Sequence, residues 1–384
     1  MSYISENTIN KVKERLNITD VVKDYMKLKK SGRNWTGLCP FHIEKTPSFF
    51  VNEEKGIYHC FGCSASGNMF NFIMRVENVP FPESIKILAQ KAGITVEYKD
   101  GAFTEQYKIQ ELIHKVNERA SFIFQYYMTN RPEGERVRKY LKERRIKDET
   151  AEVFKLGYAP DSYDKLHSEL LKENYNAKTI LDAGLIIKSS NRQGYYDRFR
   201  NRLMFPIINA MNNIIGFGGR LMNETEGLAK YMNTPETEVY SKRFNLYGIN
   251  VTHNHIREKR QAIVVEGYFD AIALYQEGIR NVVALLGTSL TNEQILLLKR
   301  YADEVVLLFD SDKAGNAATI KSISILLNTN LKIKIVELPV NTDPDEYVFK
   351  QGPASLLKLI SAAPSFLKFI VVTAFKKFHS ENVE

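Results

Sequence analysis

Apolar positions at helical spacing open the chain. Ile9, Val12 and Leu16 share one helix face, and Val21, Val22, Tyr25 and Met26 make a second after a turn at Asn17. Three short strands are expected around turns at Trp35–Leu38, Ser48–Val51 and Gly56–His59. A helix then runs from Phe81 to Lys91 and stops at Gly93. The polar stretch Glu97–Gln106 offers little to bury and reads as a linker. A long amphipathic helix follows from near Ile109 to about Tyr127, then mixed helices to about Leu185 and strand-like segments from Tyr195 to Leu221. The pattern changes again near Ala262. Ile263–Val265, Val282–Leu286, Val305–Phe309 and Ile333–Val336 are continuous apolar or β-branched runs separated by helical segments, which predicts a parallel sheet covered on both faces.

With 384 residues, two or more domains are expected. A hydrophobic share of 44% and a charged share of 26% fit a globular chain, and no run is long and apolar enough to span a bilayer. The first residues lack the charged-then-apolar layout of a signal peptide, so a cytoplasmic protein is expected. A formal net charge of +8 favours a polyanionic partner, although membranes and acidic proteins also attract basic chains.

All 3 cysteines fall in one short stretch, which points to metal before disulfides. Cys39-Pro40-Phe41-His42 and Cys60-Phe61-Gly62-Cys63 are two ligand pairs, each with the gap that lets a knuckle reach one tetrahedral Zn²⁺. Three thiolates and an imidazole fill the coordination shell, so the zinc is structural, one per chain. His59 is a rival ligand, but its neighbour Cys60 faces the other way on a strand. Gly62 is expected to relieve crowding where the backbone turns back on itself. The flanking strands make this a zinc ribbon, a module that grips nucleic acid or a partner protein.

Acidic residues follow the apolar strands. Glu266 and Asp270 come after the first, Asp310 and Asp312 after the third, and Asp343 and Asp345 after the last. In an open parallel sheet these carboxyl ends share a crevice, and converging carboxylates there call for Mg²⁺ or Mn²⁺. A lone Asp-x-Asp is usually a solvated turn; three such groups on one sheet are hard to read as decoration. Gly287-Thr288 follows the second strand and would admit phosphate or simply make a turn. Arg198-Phe199-Arg200-Asn201-Arg202 alternates, so an extended strand would set three guanidiniums on one face, suited to a nucleic-acid strand or a triphosphate, or else to a solvated edge. Arg220, Lys230 and Lys242 lie further along. Tyr231, beside Lys230, could stack a base or pack a loop.

In this order, the constellations resemble a DnaG-type bacterial primase over almost the whole chain. The two cysteine-bearing pairs are similar to that family's zinc-binding domain. Arg198–Pro206, Gly216–Arg220, Lys230–Pro235 and Leu246–Gly248 are similar to its polymerase motifs, and the acidic segments are similar to its Toprim fold. The resemblance implies a multi-domain α/β protein: a CHC2-type zinc-ribbon DNA-binding domain over 1–98, a linker over 99–110, an α+β subdomain over 111–255, a Toprim metal-binding catalytic subdomain over 256–345, and the start of a helical segment over 346–384. It implies template-directed synthesis of short RNA primers on single-stranded DNA from ribonucleoside triphosphates, by a monomer with no membrane role. Glu266, Asp310 and Asp312 would be the catalytic metal ligands, supported by Asp270, Asp343 and Asp345. Arg198, Arg200, Arg202, Arg220, Lys230, Asn233 and Lys242 would bind nucleotide or strand, and Tyr231 falls in the same motif. Ser311 stands where glycine is usual, and Arg145 replaces a frequent glycine after Arg144. The family continues into a helical domain that binds the replicative helicase, the partner the resemblance implies; this sequence stops soon after Asp345, whether by nature or by truncation, which leaves recruitment through that domain open. A Toprim nuclease or topoisomerase is the enzymatic rival, but no tyrosine announces itself as a nucleophile. A DNA-binding regulator with a dead Toprim fold is the non-enzymatic rival, and the intact acidic motifs speak against it.

Overall fold

The computed structural model describes residues 4–366, 368 and 369, apart from 43, 78, 80, 98–104, 190–193, 224–226, 288, 310–330, 340 and 341. They fall into two compact units, one holding the chain up to Lys108 and the other most of the residues from Ile109 onward.

The first unit is built on an antiparallel sheet of β1 (Lys29–Ser31), β2 (Asn34–Gly37), β3 (Phe49–Asn52), β4 (Ile57–Cys60) and β5 (Ser66–Asn68), paired in chain order. Alternation along β3 turns Phe49 and Val51 inward and Phe50 and Asn52 outward. Phe49 stacks on Tyr58 at 5.1 Å, and Phe41 and Phe72 meet them edge-on. The opening helices Glu6–Arg15 and Ile18–Lys23 cover this core through Val12, Val21 and Val22. A helix not expected from the sequence, Met69–Val76, begins at Asn68, whose side chain accepts the Phe70 and Asn71 N–H groups. The helix Phe81–Ala92 ends at Gly93 with φ +65°, as anticipated. Glu97 is not free linker: its carboxylate meets Lys11 and Asn7 on the first helix.

The second unit begins within the long helix Glu105–Asn130, which sends Ile113, Val116, Ala120 and Phe124 into the core. Next come β6 (Gly157–Ala159), the β7–β8 ribbon (Ile186–Lys188 and Tyr195–Asp197), β9 (Arg202–Ile208), β10 (Ile214–Leu221) and β11 (Tyr231–Asn233). Their main sheet has the order β11-β10-β9-β6, all antiparallel. A parallel sheet comes after it: β12 (Gln261–Val265), β13 (Val282–Ala284), β14 (Glu304–Leu307) and β15 (Lys332–Ile335), in the order β13-β12-β14-β15. β12, β13 and β14 are buried almost throughout, as their apolar runs required, whereas the edge strand β15 alternates, Lys332 being exposed and Ile333 and Ile335 buried; one core extends through both sheets.

Candidate active site and zinc centre

The ligand atoms of Cys39, His42, Cys60 and Cys63 all lie within 4.8 Å of one another. Cys39 Sγ is 3.8 Å from Cys63 Sγ, and Cys60 Sγ is 3.7 Å from His42 Nδ1. A tetrahedron with metal–sulfur bonds of about 2.3 Å has edges of roughly 3.8 Å, so the cage has the size of a zinc site. Phe41 N–H and Cys63 N–H point at the Cys39 and Cys60 sulfurs, which offsets thiolate charge. His59 faces away, its ring against Phe61 at 4.6 Å, as the strand alternation required. Gly62 relieves crowding, as expected, and the crowding groups are the His42 ring and Ser48. The knuckle residue with positive φ is Ser64, at +58°, whereas a Cβ on Gly62 would meet His42 Nε2 at 2.5 Å and Ser48 Oγ at 2.9 Å. Gly62 is bare because the ligand's ring lies on it.

In the second unit, β12 runs into Glu266 and the helix Tyr268–Gln276. The chain leaves β12 toward β13 on one side, while β14 pairs on the other, so the crevice opens between β12 and β14. Leu308 N–H donates to Val264 C=O at 3.0 Å, which carries the β14 exit alongside Glu266. Asp310, Asp312 and Thr288 lie outside the described residues.

A cavity of about 520 Å³ opens at this edge. Glu266, Asp270, Asp343 and Asp345 line it together with Arg144, Arg220, Lys230 and Lys242, as do Tyr231, Asn233 and Gly287. Carboxylates from the parallel sheet therefore share one space with cations from the preceding subdomain. Gly287 has φ +73°, so the turn after β13 favours glycine on conformational grounds. Among the described residues, the zinc set is the one group of three or more potential ligands close enough to hold an ion. Glu266, Asp270, Asp343 and Asp345 without Asp310 and Asp312 are thus not a closed metal cage.

Asp270 and Asp345 tie the loops of the site together. Asp270 accepts N–H bonds from Gly267 at 3.0 Å and from Asp345 at 3.3 Å, which joins the β12 exit to the start of the helix Pro344–Gln351. Asp345 is ion-paired with Arg144, whose guanidinium lies over the Phe269 ring at 4.7 Å. Burial pushes the Asp345 carboxyl up from its ordinary value, against the pull of Arg144. Asp343 is exposed at the N-terminus of the same helix.

The basic strip needs a correction. Residues 198–201 do not form an extended strand: β8 ends at Asp197, Asn201 has φ +50°, and β9 begins at Arg202. Alternation therefore fails, and none of the three arginines lines the cavity. Arg202 is 4% exposed and donates to the carbonyls of Gly219, Lys230 and Ala229. Arg198 donates to Gly184 C=O, and Arg200 lies against Tyr163 and Tyr196.

Tyr140 and Tyr268 were not singled out by sequence, yet both line the cavity. Arg220 lies over Tyr140 at 4.3 Å. Tyr268 stacks on Phe205 at 4.6 Å, and its hydroxyl donates to Asn233 Oδ1 at 2.7 Å. Asn233 Nδ2 in turn donates to Leu286 C=O at 3.0 Å. A Cβ on Gly218 would meet that hydroxyl at 2.4 Å, so the glycine in β10 makes room for the ring. The local signal was the glycine-rich run Gly216–Gly219, which implies close approach without naming what approaches.

The comparisons bear on each module. Family models match for the CHC2 zinc finger over residues 4–104, the N-terminal domain of the DNA primase catalytic core over 123–253, and a Toprim-like domain over 263–348. A DNA primase of Clostridium acetobutylicum is 41% identical over 383 residues, which is 99% of this chain and 63% of that protein. One from Staphylococcus epidermidis is 39% identical, over 96% of this chain and 62% of that protein. The chain thus spans less than two thirds of the length of these curated relatives. A crystal structure of the Aquifex aeolicus primase, comprising zinc-binding and RNA polymerase domains, is 34% identical with a TM-score of 0.65, covering 97% of this chain and 89% of that one. A DnaG primase catalytic domain bound to ssDNA is 30% identical with a TM-score of 0.64, covering 71% of this chain and 84% of that one. With a CHC2 zinc centre, a primase core and a Toprim sheet following one another as in these relatives, the chain belongs to the DnaG-type bacterial primase family.

Proposed function

We propose that this chain synthesises short RNA primers on a single-stranded DNA template. The observation that carries the reading is the shared cavity in which Glu266 and Asp343 face Arg220, Lys230 and Lys242. Extending a primer joins a 3′-hydroxyl to the α-phosphate of a ribonucleoside triphosphate and releases pyrophosphate. That reaction concentrates negative charge on the phosphates, and preorganised cations in a partly enclosed site stabilise it without solvent rearrangement. Arg220 is held in place by the Tyr140 ring, so its fork is oriented before substrate arrives. Lys230 and Lys242 supply point charges on flexible stems. Glu266 and Asp343, with Asp310 and Asp312, are the proposed ligands for Mg²⁺ or Mn²⁺. A bound divalent ion there supplies charge to the attacking and leaving oxygens. Asp270 and Asp345 support that set by joining the loops that carry it.

The zinc ribbon over 1–98 is proposed to engage the template, and Arg198 and Arg200 to border the strand outside the cavity. Among the described residues no helix is long and apolar enough to cross a membrane, and a cytoplasmic site of action is proposed with the primase reading. The test is incubation of the chain with labelled ribonucleotides, Mg²⁺ and a single-stranded template. Short labelled RNA is expected, with Glu266→Gln lowering its yield at least about 100-fold while template binding persists. Full synthesis by Glu266→Gln would remove that residue from the chemistry, and absence of any RNA product would remove the primase reading.

A further inference from the structure

We propose that Glu44 is the positioning residue of the zinc centre, fixing His42 so that Nδ1, and not Nε2, binds the metal. Metal-bound histidines take their orientation from whatever accepts the second ring N–H. In this structure His42 turns Nδ1 toward Cys60 Sγ at 3.7 Å and Nε2 toward Glu44 Oε2 at 3.2 Å. The ring has little freedom to turn over, because its Nε2–Cε1 edge rests on the bare Cα of Gly62. An Nε2–H donated to Glu44 leaves the lone pair of Nδ1 directed into the cage.

The two oxygens of Glu44 have separate partners. Oε1 accepts the N–H of Cys39 at 2.6 Å and the N–H of Ser48 at 3.3 Å. Oε2 accepts the Ser48 hydroxyl and faces the histidine. Ser48 Oγ is also 3.2 Å from Cys60 Sγ. One carboxylate therefore reaches three of the four ligands: Cys39 through its backbone, His42 through its ring, and Cys60 through Ser48. It lies two residues beyond His42 in the loop between β2 and β3, so the ligand pair and its orienting group come from one short segment. An orienting role and a loop-bracing role make different demands. Bracing needs Oε1 for the two N–H groups and, at the other atom, any contact to the Ser48 hydroxyl, which can accept as well as donate; orienting needs an acceptor facing the ring N–H.

Glu44→Gln separates them, since the amide keeps an oxygen for the Cys39 and Ser48 N–H groups and puts a donor against the ring. The experiment measures Zn²⁺ affinity of the full chain by chelator competition, with zinc stoichiometry and far-UV circular dichroism as folding controls. It also reads the ring nitrogens from ¹H–¹⁵N correlations on the histidine-labelled, zinc-loaded chain. Roughly 10- to 100-fold weaker zinc binding by Glu44→Gln is expected, with a metal-shifted Nδ1 and a protonated Nε2 for His42 in the unsubstituted chain. Gly62→Ala, which would push the same ring edge, is expected to weaken zinc binding as well. Zinc affinity of Glu44→Gln within about twofold of the unsubstituted chain, or a metal-shifted Nε2, overturns the proposal. Neither readout involves nucleotide or template, so the result stands apart from the primase reading.

Discussion

Tyr268→Phe tests whether the cavity wall depends on one hydrogen-bonded relay. The substitution keeps the ring, which lies flat on Phe205 at 12° and edge-on to Tyr247 at 4.7 Å. It removes the hydroxyl that donates to Asn233 Oδ1. That hydroxyl sits in a residue only 6% exposed, where water cannot readily replace it. Loss of a buried neutral hydrogen bond, leaving an acceptor short of its donor, costs about 1–2 kcal/mol. For a unit of this size that corresponds to a fall of roughly 2–8 °C in Tm. Asn233 is released at the same time, and with it the bond to Leu286 C=O that fixes the turn before Gly287. Since Asn233, Leu286 and Gly287 all line the cavity, substrate must re-order that wall on binding, and the expected outcome is a rise in KM of up to roughly 30-fold with kcat little changed. Primer synthesis under steady-state conditions gives the kinetic values and calorimetry the Tm. Asn233→Ala should reproduce the loss, and the double variant should add little to either alone, because both remove one relay. Additive effects of the two substitutions, or an unchanged KM in Tyr268→Phe, would refute the argument.

Two further outcomes concern side chains that the sequence pattern alone would misassign. Arg202→Ala should destabilise the second unit by about 2–4 kcal/mol, because it strips a buried fork from three backbone carbonyls; thermal unfolding should show this while the salt dependence of template binding stays unchanged. Burial raises the Asp197 carboxyl to about 7, although the Leu166 and His167 N–H groups at the start of the helix Lys165–Lys172 favour its charged form. A carboxyl raised above its unfolded value of 3.8 stabilises the fold most at low pH and less as pH climbs to 7, so stability measured across that window should decline in the unsubstituted chain and decline less in Asp197→Asn.

The zinc centre was legible because its ligands are close in sequence. Cys39 with His42, and Cys60 with Cys63, reach one point through local knuckle geometry, so spacing carries most of the information. The parallel sheet was legible for a similar reason: strands buried on both faces must be apolar throughout, and β12 to β14 are so beyond Gln261 and Glu304 at their starts, whereas β15 alternates at the sheet edge. The helix Met69–Val76 escaped notice because its start depends on a reciprocal Asn68–Asn71 cap, which lacks the usual Ser/Thr and Glu/Gln pattern.

What spacing could not carry was the partner each charged group takes. Arg202 and Arg220 look alike in sequence, since each opens an Arg-Leu-Met triplet. In the fold one faces the carbonyls of β10 and its neighbours, and the other lies over Tyr140 in the cavity. The difference comes from Asn201, whose left-handed conformation breaks the alternation just before β9 and turns Arg202 inward. The same limit applies to the acids. Asp345 and Asp343 are two residues apart, yet the helix start between them buries one against Arg144 and leaves the other exposed. A buried carboxylate with one oxygen committed to a guanidinium has less charge and fewer lone pairs to offer a metal. Asp343 is exposed and has no ion pair among the described residues, which supports its proposed role as a ligand and that of Asp345 as an anchor.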